Sequence, residues 1–242
     1  MSGHSKWTQI KRSKGAADVK RGALFSKLSK KISIAVREGN SGEPDHNFKL
    51  RIAIDQARAA SMPNDNISRA IKKGLGHDDG TMIESIIYEG YGPAGTAFII
   101  ETATDNKNRT VSNIKHILAK HEGNLGAAGS VSWQFSTMVQ LIIANNMPDK
   151  DGLELKLIDS GAEELREQKD QLAIYITIEK LDQVKNDLLK QKIEVIEEQI
   201  VRKPNQMISL DNQSEKEVIA LIEELGEHED VTDIHTNANI TL

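Results

Sequence analysis

The stretch MVQLIIANNMPDKDGLELKLIDSGAEELREQKDQLAIYITIEKLDQVKNDLLKQKIEVIEEQIVR, residues 138–202, decides the fold class of this chain. Its apolar runs alternate with amphipathic stretches, which predicts the order strand, helix, strand, strand, helix, strand. The strands are MVQLIIA, EELRE, QLAIYIT and IEVIEEQIV, and the helices cover about 149–160 and 179–191. That order is the split βαβ, or ferredoxin-like, unit. The sequence therefore predicts an α+β fold with a ferredoxin-like domain at 137–204.

The segments on either side of this unit both look incomplete. Residues 83–136 contain two strands, ESIIYEGY and TAFIIETA, joined by a GPAG turn, then a helix and a strand at Ser130–Phe135. Residues 205–242 contain a short strand, MISL, a helix at 214–225 and a strand at 231–236. We expect the two segments to pack together as one α+β domain, into which the ferredoxin-like domain is inserted.

The first 76 residues are predicted to form a small helical domain. Apolar residues recur there at helical spacing in three stretches, Ala16–Gly39, Asp45–Ser61 and Pro63–Gly74. Glycine commonly follows the end of a helix and proline commonly opens one, so these residues mark the boundaries. The whole chain is thus predicted to have three domains, 1–76, 83–136 with 205–242, and the inserted 137–204.

Charge is distributed very unevenly along the chain. Residues 1–31 contain nine basic residues and one acidic residue, a net charge of +8. Residues 1–76 contain sixteen basic and six acidic residues, a net charge of +10, whereas the remaining residues contain fifteen and thirty, a net charge of −15. Such asymmetry indicates a polyanionic partner, nucleic acid above all.

The basic start supplies most of the candidate nucleic-acid-binding residues. Lysine and arginine neutralise phosphates and release counterions, which gives affinity without sequence information. Trp7 either stacks on a base or anchors this segment on the helical domain. The alternative for the lysines is a solvated surface without a ligand. The candidates are Lys6, Trp7, Lys11, Arg12, Lys14, Lys20, Arg21, Lys27, Lys30 and Lys31.

A second candidate anion site lies in TDNKNRT, residues 104–110, just before a predicted helix. The free N–H groups of a helix N-terminus favour an anion, and Lys107 and Arg109 would add positive charge. The alternative is that Asn108 or Thr110 merely caps the helix. We expect one of these two residues to cap it in either case.

The composition and the remaining motifs exclude several classes of function. The chain is 38% hydrophobic and 28% charged, which is typical of a soluble globular protein, and it contains no cysteine, so disulfides and thiol catalysis are excluded. It has no apolar run of about 18 residues and no signal-peptide core, so we expect a cytoplasmic protein without a membrane partner.

No feature of the sequence indicates a cofactor or an enzyme. The glycines of YEGYGPAG and GNLGAAG match neither a phosphate loop nor a dinucleotide fingerprint. HDDG at 77–80 and HED at 228–230 lack the spacing of metal ligands on a helix. No pair of nucleophile and base is evident, so a metal-dependent nuclease is only a distant alternative.

Several long motifs resemble those of the YebC/PmpR family. They are GHSKW at 3–7, IK at 10–11, KRG at 20–22, FSKL at 25–28, LRIAIDQARAASMPNDNISRAIKKG at 50–74, YEGYGPAGTA at 88–97, TDNKNRT at 104–110 and GNLGAAGSVSWQF at 123–135. The resemblance covers essentially the whole chain. It implies three domains, helical first, with the third inserted in the second, and a probable transcriptional regulator that binds DNA.

Other members of the family imply a second function. The related mitochondrial proteins are translational activators of cytochrome oxidase subunit one, and some bacterial relatives resemble ribosome-associated factors that help elongation through proline runs. Ribosomal RNA is therefore the alternative partner. The sequence lacks a helix-turn-helix or another base-reading motif.

The acidic domains are predicted to face away from nucleic acid. The ferredoxin-like strands lack the interleaved aromatic residues that stack bases, with Tyr175 alone among them, so this domain is interpreted as structural or as facing a protein partner. Because the positive charge lies at the start, we expect deletion of 1–31 to abolish nucleic-acid binding and to leave the rest folded.

Overall fold

The computed structural model describes residues 19–76, 83–145, 150–168 and 170–240. Its helices are α1 (Val19–Glu38), α2 (Phe48–Ala59), α3 (Asn64–Gly74), α4 (Lys107–Lys120), α5 (Lys150–Asp159), α6 (Leu181–Lys190) and α7 (Asn212–Glu227). Its strands are β1 (Glu84–Tyr91), β2 (Ala97–Thr104), β3 (Asn124–Leu125), β4 (Phe135–Ala144), β5 (Glu164–Gln168), β6 (Gln171–Ile176), β7 (Val195–Pro204), β8 (Ile208–Ser209), β9 (Val231–Thr236) and β10 (Ala238–Asn239). None of the helices in these ranges is long and apolar enough to cross a bilayer.

The described residues divide into two compact units. Phe135–Lys203 form one unit, and the described residues before and after them form the other. The second unit therefore contains both the helical segment and the α+β segment. The domain boundaries at 1–76, 83–136 with 205–242, and 137–204 stay a prediction, because this division does not separate the first two domains.

The unit Phe135–Lys203 has the predicted ferredoxin-like topology. Its sheet has the strand order β5-β6-β4-β7, and β6 is antiparallel to both of its neighbours. Leu141 on β4, for example, is paired with Ile174 on β6. Numbered along the unit, the order is second, third, first and fourth strand. This is the strand order of the split βαβ, or ferredoxin-like, fold. One cluster of buried residues on this sheet consists of Met138, Ile142, Ala173, Tyr175 and Val201.

The α+β part of the other unit is built from both flanking segments, as the sequence predicts. Its sheet has the strand order β3-β1-β2-β9, so the C-terminal strand β9 lies beside β2 of the hairpin. Ile100 of β2 is paired with Tyr88 of β1 on one side and with Ile234 of β9 on the other. Helices α4 and α7 supply the rest of the core, which includes Phe98, Ile114, Leu118, Val218, Leu221, Ile222 and Leu225.

The helical segment has a core of its own and also contacts the sheet. Helix α1 packs against α2 and α3, and it lies next to β2 and β9. Buried residues of the three helices form one cluster that includes Leu28, Ile32, Val36, Leu50, Ala53, Ala57, Ile67 and Ala70. Because α1 takes part in this cluster and also contacts the sheet, it connects the two parts of the unit.

Gly39 is required where the chain leaves α1. A Cβ atom at this position would lie 2.3 Å from Nδ2 of Asn47, which no side chain tolerates. Asn47 is buried there because it has three hydrogen bonds: it caps α2 by accepting from the Leu50 N–H, and it donates to the carbonyls of Ala35 and Ser41. The predicted end of the first helix at Gly39 therefore follows from a close contact with the next helix.

The predicted strand at Ser130–Phe135 is wrong. Residues Ser132–Gln134 form a 3-10 turn, and Phe135 begins the first strand of the ferredoxin-like unit. The reason is the buried carboxylate of Glu89, which accepts from the N–H groups of Gly129, Val131 and Ser132 at 2.8 Å. Those three N–H groups are therefore not available to a neighbouring strand.

Candidate nucleic-acid interface

Three of the candidate lysines lie on one face of helix α1. Lys27, Lys30 and Lys31 are separated by three and one positions, a spacing that places them on adjacent sites of a helical surface. Lys27 is 4% exposed, and its ammonium donates to the carbonyl of Gly226, near the end of α7. The ammonium of Lys27 is therefore buried within the protein and is not accessible to a phosphate.

Lys30 and Lys31 are also bound by the C-terminal part of the chain. The Nζ atom of Lys30 lies 2.8 Å from Oδ1 of Asp230 and 3.1 Å from the carbonyl oxygen of Glu229. Lys31 forms an ion pair with Asp233 on β9. The positive charge of these two lysines is therefore matched by carboxylates from the acidic part of the sequence.

Asp230 collects several hydrogen bonds at this junction. Its side chain is 1% exposed, and besides Lys30 it accepts from Thr104 at 3.2 Å, from Arg109 at 3.1 Å and from Thr110 at 2.8 Å. Burial by itself raises the pKa of Asp230, but the hydrogen bonds from Lys30, Thr110 and Arg109 outweigh it and lower the pKa to about 2. Asp230 is therefore ionised at neutral pH and joins α1, β2 and α4.

In the second candidate site, the side chains of Lys107 and Arg109 form ion pairs with carboxylates of the protein itself. Lys107 Nζ lies 2.7 Å from Glu84, and the Arg109 guanidinium contacts Asp105 at 2.9 Å in addition to Asp230. The hydrogen bond that Lys107 donates to Glu84, together with the negative charge of Glu84, raises the pKa of Lys107. In this arrangement the two cations have internal partners.

The residue that caps α4 differs from the prediction. The sequence indicated Asn108 or Thr110, but the Oδ1 atom of Asn106 accepts from the N–H of Arg109 at 3.1 Å. The Thr110 hydroxyl instead lies 2.8 Å from Oδ2 of Asp230 and 3.0 Å from the carbonyl oxygen of Asn106. The observed cap lies two residues before Asn108 and four before Thr110, and the Thr110 hydroxyl is engaged by Asp230 from a distant part of the chain.

A different set of basic residues in the helical segment has no ion-pair partner within the described ranges. Among the residues that the structure describes, no carboxylate lies within ion-pair distance of Arg69, Lys72 or Lys73 on α3, or of Arg21 at the start of α1. Lys20 lies in the first turn of α1. The candidates Lys6, Trp7, Lys11, Arg12 and Lys14 lie outside the described residues.

A groove of about 320 Å³ lies between α1 and α3. Helix α1 contributes Ser26, Ser29 and Ser33, and α3 contributes Asn66, Arg69 and Lys73 to its walls; the other lining residues are Phe25, Lys30, Ala70 and Ile83. Both triplets have the same spacing of three and then four residues, so each lies on one face of its helix. The polar faces of two helices thus meet across one groove.

Within the described part of the chain, no acidic residue lines this groove. Lys30 forms part of the wall while its ammonium is held by Asp230. Arg69 and Lys73 were not among the candidates from the sequence. Their spacing of four on a short amphipathic helix, opposite the buried Ile67 and Ala70, is the signal that could have indicated them.

The remaining motifs have structural roles or lie outside the described residues. Tyr175 is fully buried, and its hydroxyl accepts from Gln140 at 2.7 Å, so it does not offer a surface for a base. HDDG at 77–80 lies outside the described residues, and in HED at 228–230 the aspartate is Asp230 itself. In the described ranges no group of three histidine or acidic side chains is arranged to hold a metal ion.

The fold and this interface define a class of α+β proteins with a basic helical start and an acidic body. The family model for the N-terminal domain of the TACO1/YebC protein matches residues 5–77, and the model for the TACO1/YebC second and third domain matches residues 83–238. The chain belongs to the TACO1/YebC family. The resemblance to the YebC/PmpR family is thereby confirmed.

Similar proteins are named as regulators. A "Probable transcriptional regulatory protein" of Syntrophomonas wolfei is 43% identical over 99% of this chain and 97% of its own length. A protein of the same name from Desulfosudis oleivorans is 43% identical over 100% of this chain and 98% of its own. The crystal structure of a conserved hypothetical protein from Aquifex aeolicus superimposes with a TM-score of 0.82, is 40% identical and covers 98% of both chains.

Proposed function

We propose that this protein is a regulator of gene expression that binds duplex DNA through its basic helical segment. The observation that carries the proposal is the separation of charge, +10 in residues 1–76 against −15 in the rest. The names of the relatives support regulation of transcription. We propose a binding role for the protein and no catalytic step. We also propose that it acts in the cytoplasm, as predicted from the sequence.

The structure suggests which basic residues are available for phosphates. Lys27, Lys30 and Lys31 hold α1 to the acidic C-terminal part, so we assign them a structural role. The proposed contacts with nucleic acid are made by the other candidates of the start and by the two cations of α3 that line a groove beside α1, which are Lys6, Trp7, Lys11, Arg12, Lys14, Lys20, Arg21, Arg69 and Lys73. Lys107 and Arg109 face carboxylates and are at most secondary contacts.

The acidic part of the chain is proposed to point away from the DNA. A surface with a net charge of −15 is repelled by phosphates, so it disfavours orientations other than the one led by the basic segment. The same surface is free to contact a protein partner, and the ferredoxin-like unit is the natural place for such a contact.

The proposal is tested by titrating the full-length protein against a fluorescein-labelled duplex of about 30 base pairs in a series of salt concentrations. If about five phosphates are neutralised, the slope of log affinity against log salt should be near −4 to −5. Affinity that does not change between low and high salt would contradict a contact through the basic segment.

A parallel measurement shows whether the protein prefers DNA or ribosomal RNA as its partner. The protein is sedimented with ribosomes at the same salt concentrations that are used for the duplex. Because phosphate contacts are common to DNA and RNA, discrimination requires contacts with bases, 2′-hydroxyls or a particular shape. Stoichiometric sedimentation with ribosomes at a salt concentration that abolishes duplex binding would favour a translation factor over a DNA-binding regulator.

A further inference from the structure

We propose that the groove between α1 and α3 is a binding site for a backbone phosphate of nucleic acid, together with the sugar next to it. The inference rests on the proposed function and adds the site at which the strand is held. It starts from the two polar faces that meet there, Ser26, Ser29 and Ser33 on one side and Asn66, Arg69 and Lys73 on the other.

The polar groups of the groove are suited to an anion. The hydroxyls of Ser26 and Ser29 and the amide of Asn66 are able to donate hydrogen bonds, and Arg69 offers a planar guanidinium that binds two phosphate oxygens at once. Lys73 adds a second positive charge in the next turn of α3. Since none of the described residues that line the groove is a carboxylate, an anion meets no like charge from them.

The cations of the groove are also free to bind a ligand. Arg69 and Lys73 have no ion-pair partner among the described residues, in contrast to Lys27, Lys30 and Lys31 on the neighbouring helix. Ser33 is committed to the protein, because its hydroxyl donates to the carbonyl of Ala70 at 2.8 Å. That bond ties α1 to α3 at the base of the groove and fixes the distance between the two polar faces.

The size and the apolar part of the groove indicate how much of a strand it takes. A volume of about 320 Å³ is at the lower end of the roughly 300–1,000 Å³ that is usual for small-molecule sites. It therefore holds one phosphate and its sugar, not a base pair. Phe25, Ala70 and Ile83 supply apolar surface for the sugar.

Lys30 has a positioning role in this site. It lines the groove, but its ammonium is held 2.8 Å from Asp230, so its charge is balanced before any phosphate arrives. The bond keeps the α1 wall of the groove in a fixed position against β9. The affinity for phosphate is therefore expected to come from Arg69 and Lys73.

The test compares three single variants of the full-length protein, Arg69→Ala, Lys73→Ala and the control Lys72→Ala. Lys72 is exposed on the same helix and carries the same charge, but it does not line the groove. Each groove variant should bind the labelled duplex about tenfold more weakly, as expected for a lost charge-assisted hydrogen bond. Each should also lower the salt slope by about 0.9. Lys72→Ala should change affinity less than about twofold.

Circular dichroism and the melting temperature show whether each variant is folded, and Arg69→Lys, which keeps the charge, should recover part of the affinity. If all three alanine variants lose the same amount, the groove is not a site and the inference fails while the proposed function stands. If the wild type shows no salt-dependent binding, the proposed function fails as well.

A second measurement distinguishes the source of the phosphate. Inorganic phosphate, a free nucleoside monophosphate and a short DNA duplex are titrated separately into ¹⁵N-labelled protein. The inference expects the amide signals of Ser29 and Arg69 to shift with all three, and at the lowest concentration with the duplex. A free nucleotide that binds more tightly than the duplex would overturn it and make the groove a nucleotide site.

Discussion

The ammonium of Lys30 lies 2.8 Å from Oδ1 of Asp230, and this ion pair joins helix α1 to the loop before strand β9. Lys27 and Lys31 bind the same region from the positions on either side. Asp230 also holds Arg109 at the start of α4. One buried carboxylate therefore binds both α1 of the helical segment and α4 of the α+β part of the same unit.

Replacing Asp230 by asparagine should destabilise the protein in a manner that depends on pH. The folded pKa of about 2 lies below the ordinary 3.8, so the carboxylate stabilises the fold fully above about pH 4 and loses this effect as the pH falls toward 2. The difference between the two values corresponds to roughly 2 kcal/mol. Urea unfolding should show that loss for Asp230→Asn at pH 7 and roughly half of it at pH 3.

The neighbouring Glu229 provides the control for that experiment. Its side chain is 75% exposed, and its contact with Arg109 is 3.7 Å long. Glu229→Gln should leave the free energy of unfolding within about 0.5 kcal/mol of the wild type at both pH values. Equal losses in the free energy of unfolding for the two substitutions would show that the effect of Asp230 does not depend on its burial.

Much of the fold follows from patterns that are local in the sequence. The order of strands and helices in 138–202 was predicted, because apolar periodicity depends only on neighbouring residues, and so was the packing of the two flanking segments together. The pairing of β9 with β2 was not predicted. The turn at Ser132–Gln134 was not, because it is formed by the distant carboxylate of Glu89. A single sequence does not show such a long-range hydrogen bond.

The candidate interface was predictable as a charge excess but not residue by residue. Lys27 and Arg21 look alike in the sequence, since both lie in the same basic stretch. Lys27 is buried because α7 ends beside it, which depends on tertiary packing some two hundred residues further along the chain. Arg69 and Lys73 of α3 were missed because acidic residues between position 31 and α3 lower the net charge of that part of the sequence.

Replacing Glu89 by glutamine should loosen the loop that follows β3. Burial raises the pKa of Glu89, but hydrogen bonds from Gly129, Val131 and Ser132 outweigh it and leave the pKa below its ordinary value. A neutral amide is a weaker acceptor for these N–H groups, which should cost about 1–3 kcal/mol. Hydrogen exchange should accelerate at those three amides.

Glu84→Gln is the matched control for this substitution. Glu84 lies on the same strand as Glu89, but its side chain is about half exposed in an ion pair with Lys107. We expect it to leave exchange in the loop unchanged. Faster exchange across the whole sheet in Glu89→Gln would indicate global destabilisation instead of a local role.

Deleting residues 1–18 should weaken nucleic-acid binding without unfolding the protein. The deletion removes four basic residues and one acidic residue but leaves every described contact of α1 in place. Affinity for the duplex should fall by about tenfold or more at moderate salt, with a smaller salt slope. Unchanged affinity would show that the groove and the rest of α1 account for binding.

The larger deletion, 1–31, is not expected to leave the rest folded, contrary to the expectation from the sequence. It removes Leu28 from the helical core and the three lysines that bind the C-terminal region. The melting temperature of this variant should drop well below that of the shorter deletion. Two deletions with equal melting temperatures would mean that these contacts of α1 contribute little to stability.

Lys107 and Arg109 should behave differently although the sequence places them in one candidate anion site. Lys107 pairs with Glu84 at the surface, and exposed ion pairs of this kind contribute little to stability. Arg109 contacts the buried Asp230, so removing the guanidinium leaves that buried charge with one hydrogen bond fewer. Urea unfolding should therefore show a clear loss for Arg109→Ala and almost none for Lys107→Ala.

The same two variants test whether this loop contacts nucleic acid. Because Glu84 already balances the charge of Lys107, Lys107→Ala should change affinity for the duplex less than about twofold, and sedimentation with ribosomes should also be unchanged. A large loss of ribosome sedimentation for this folded variant would restore the loop as an anion site. It would also favour ribosomal RNA over DNA as the partner, since two separate contact patches suit a large irregular surface better than one straight duplex.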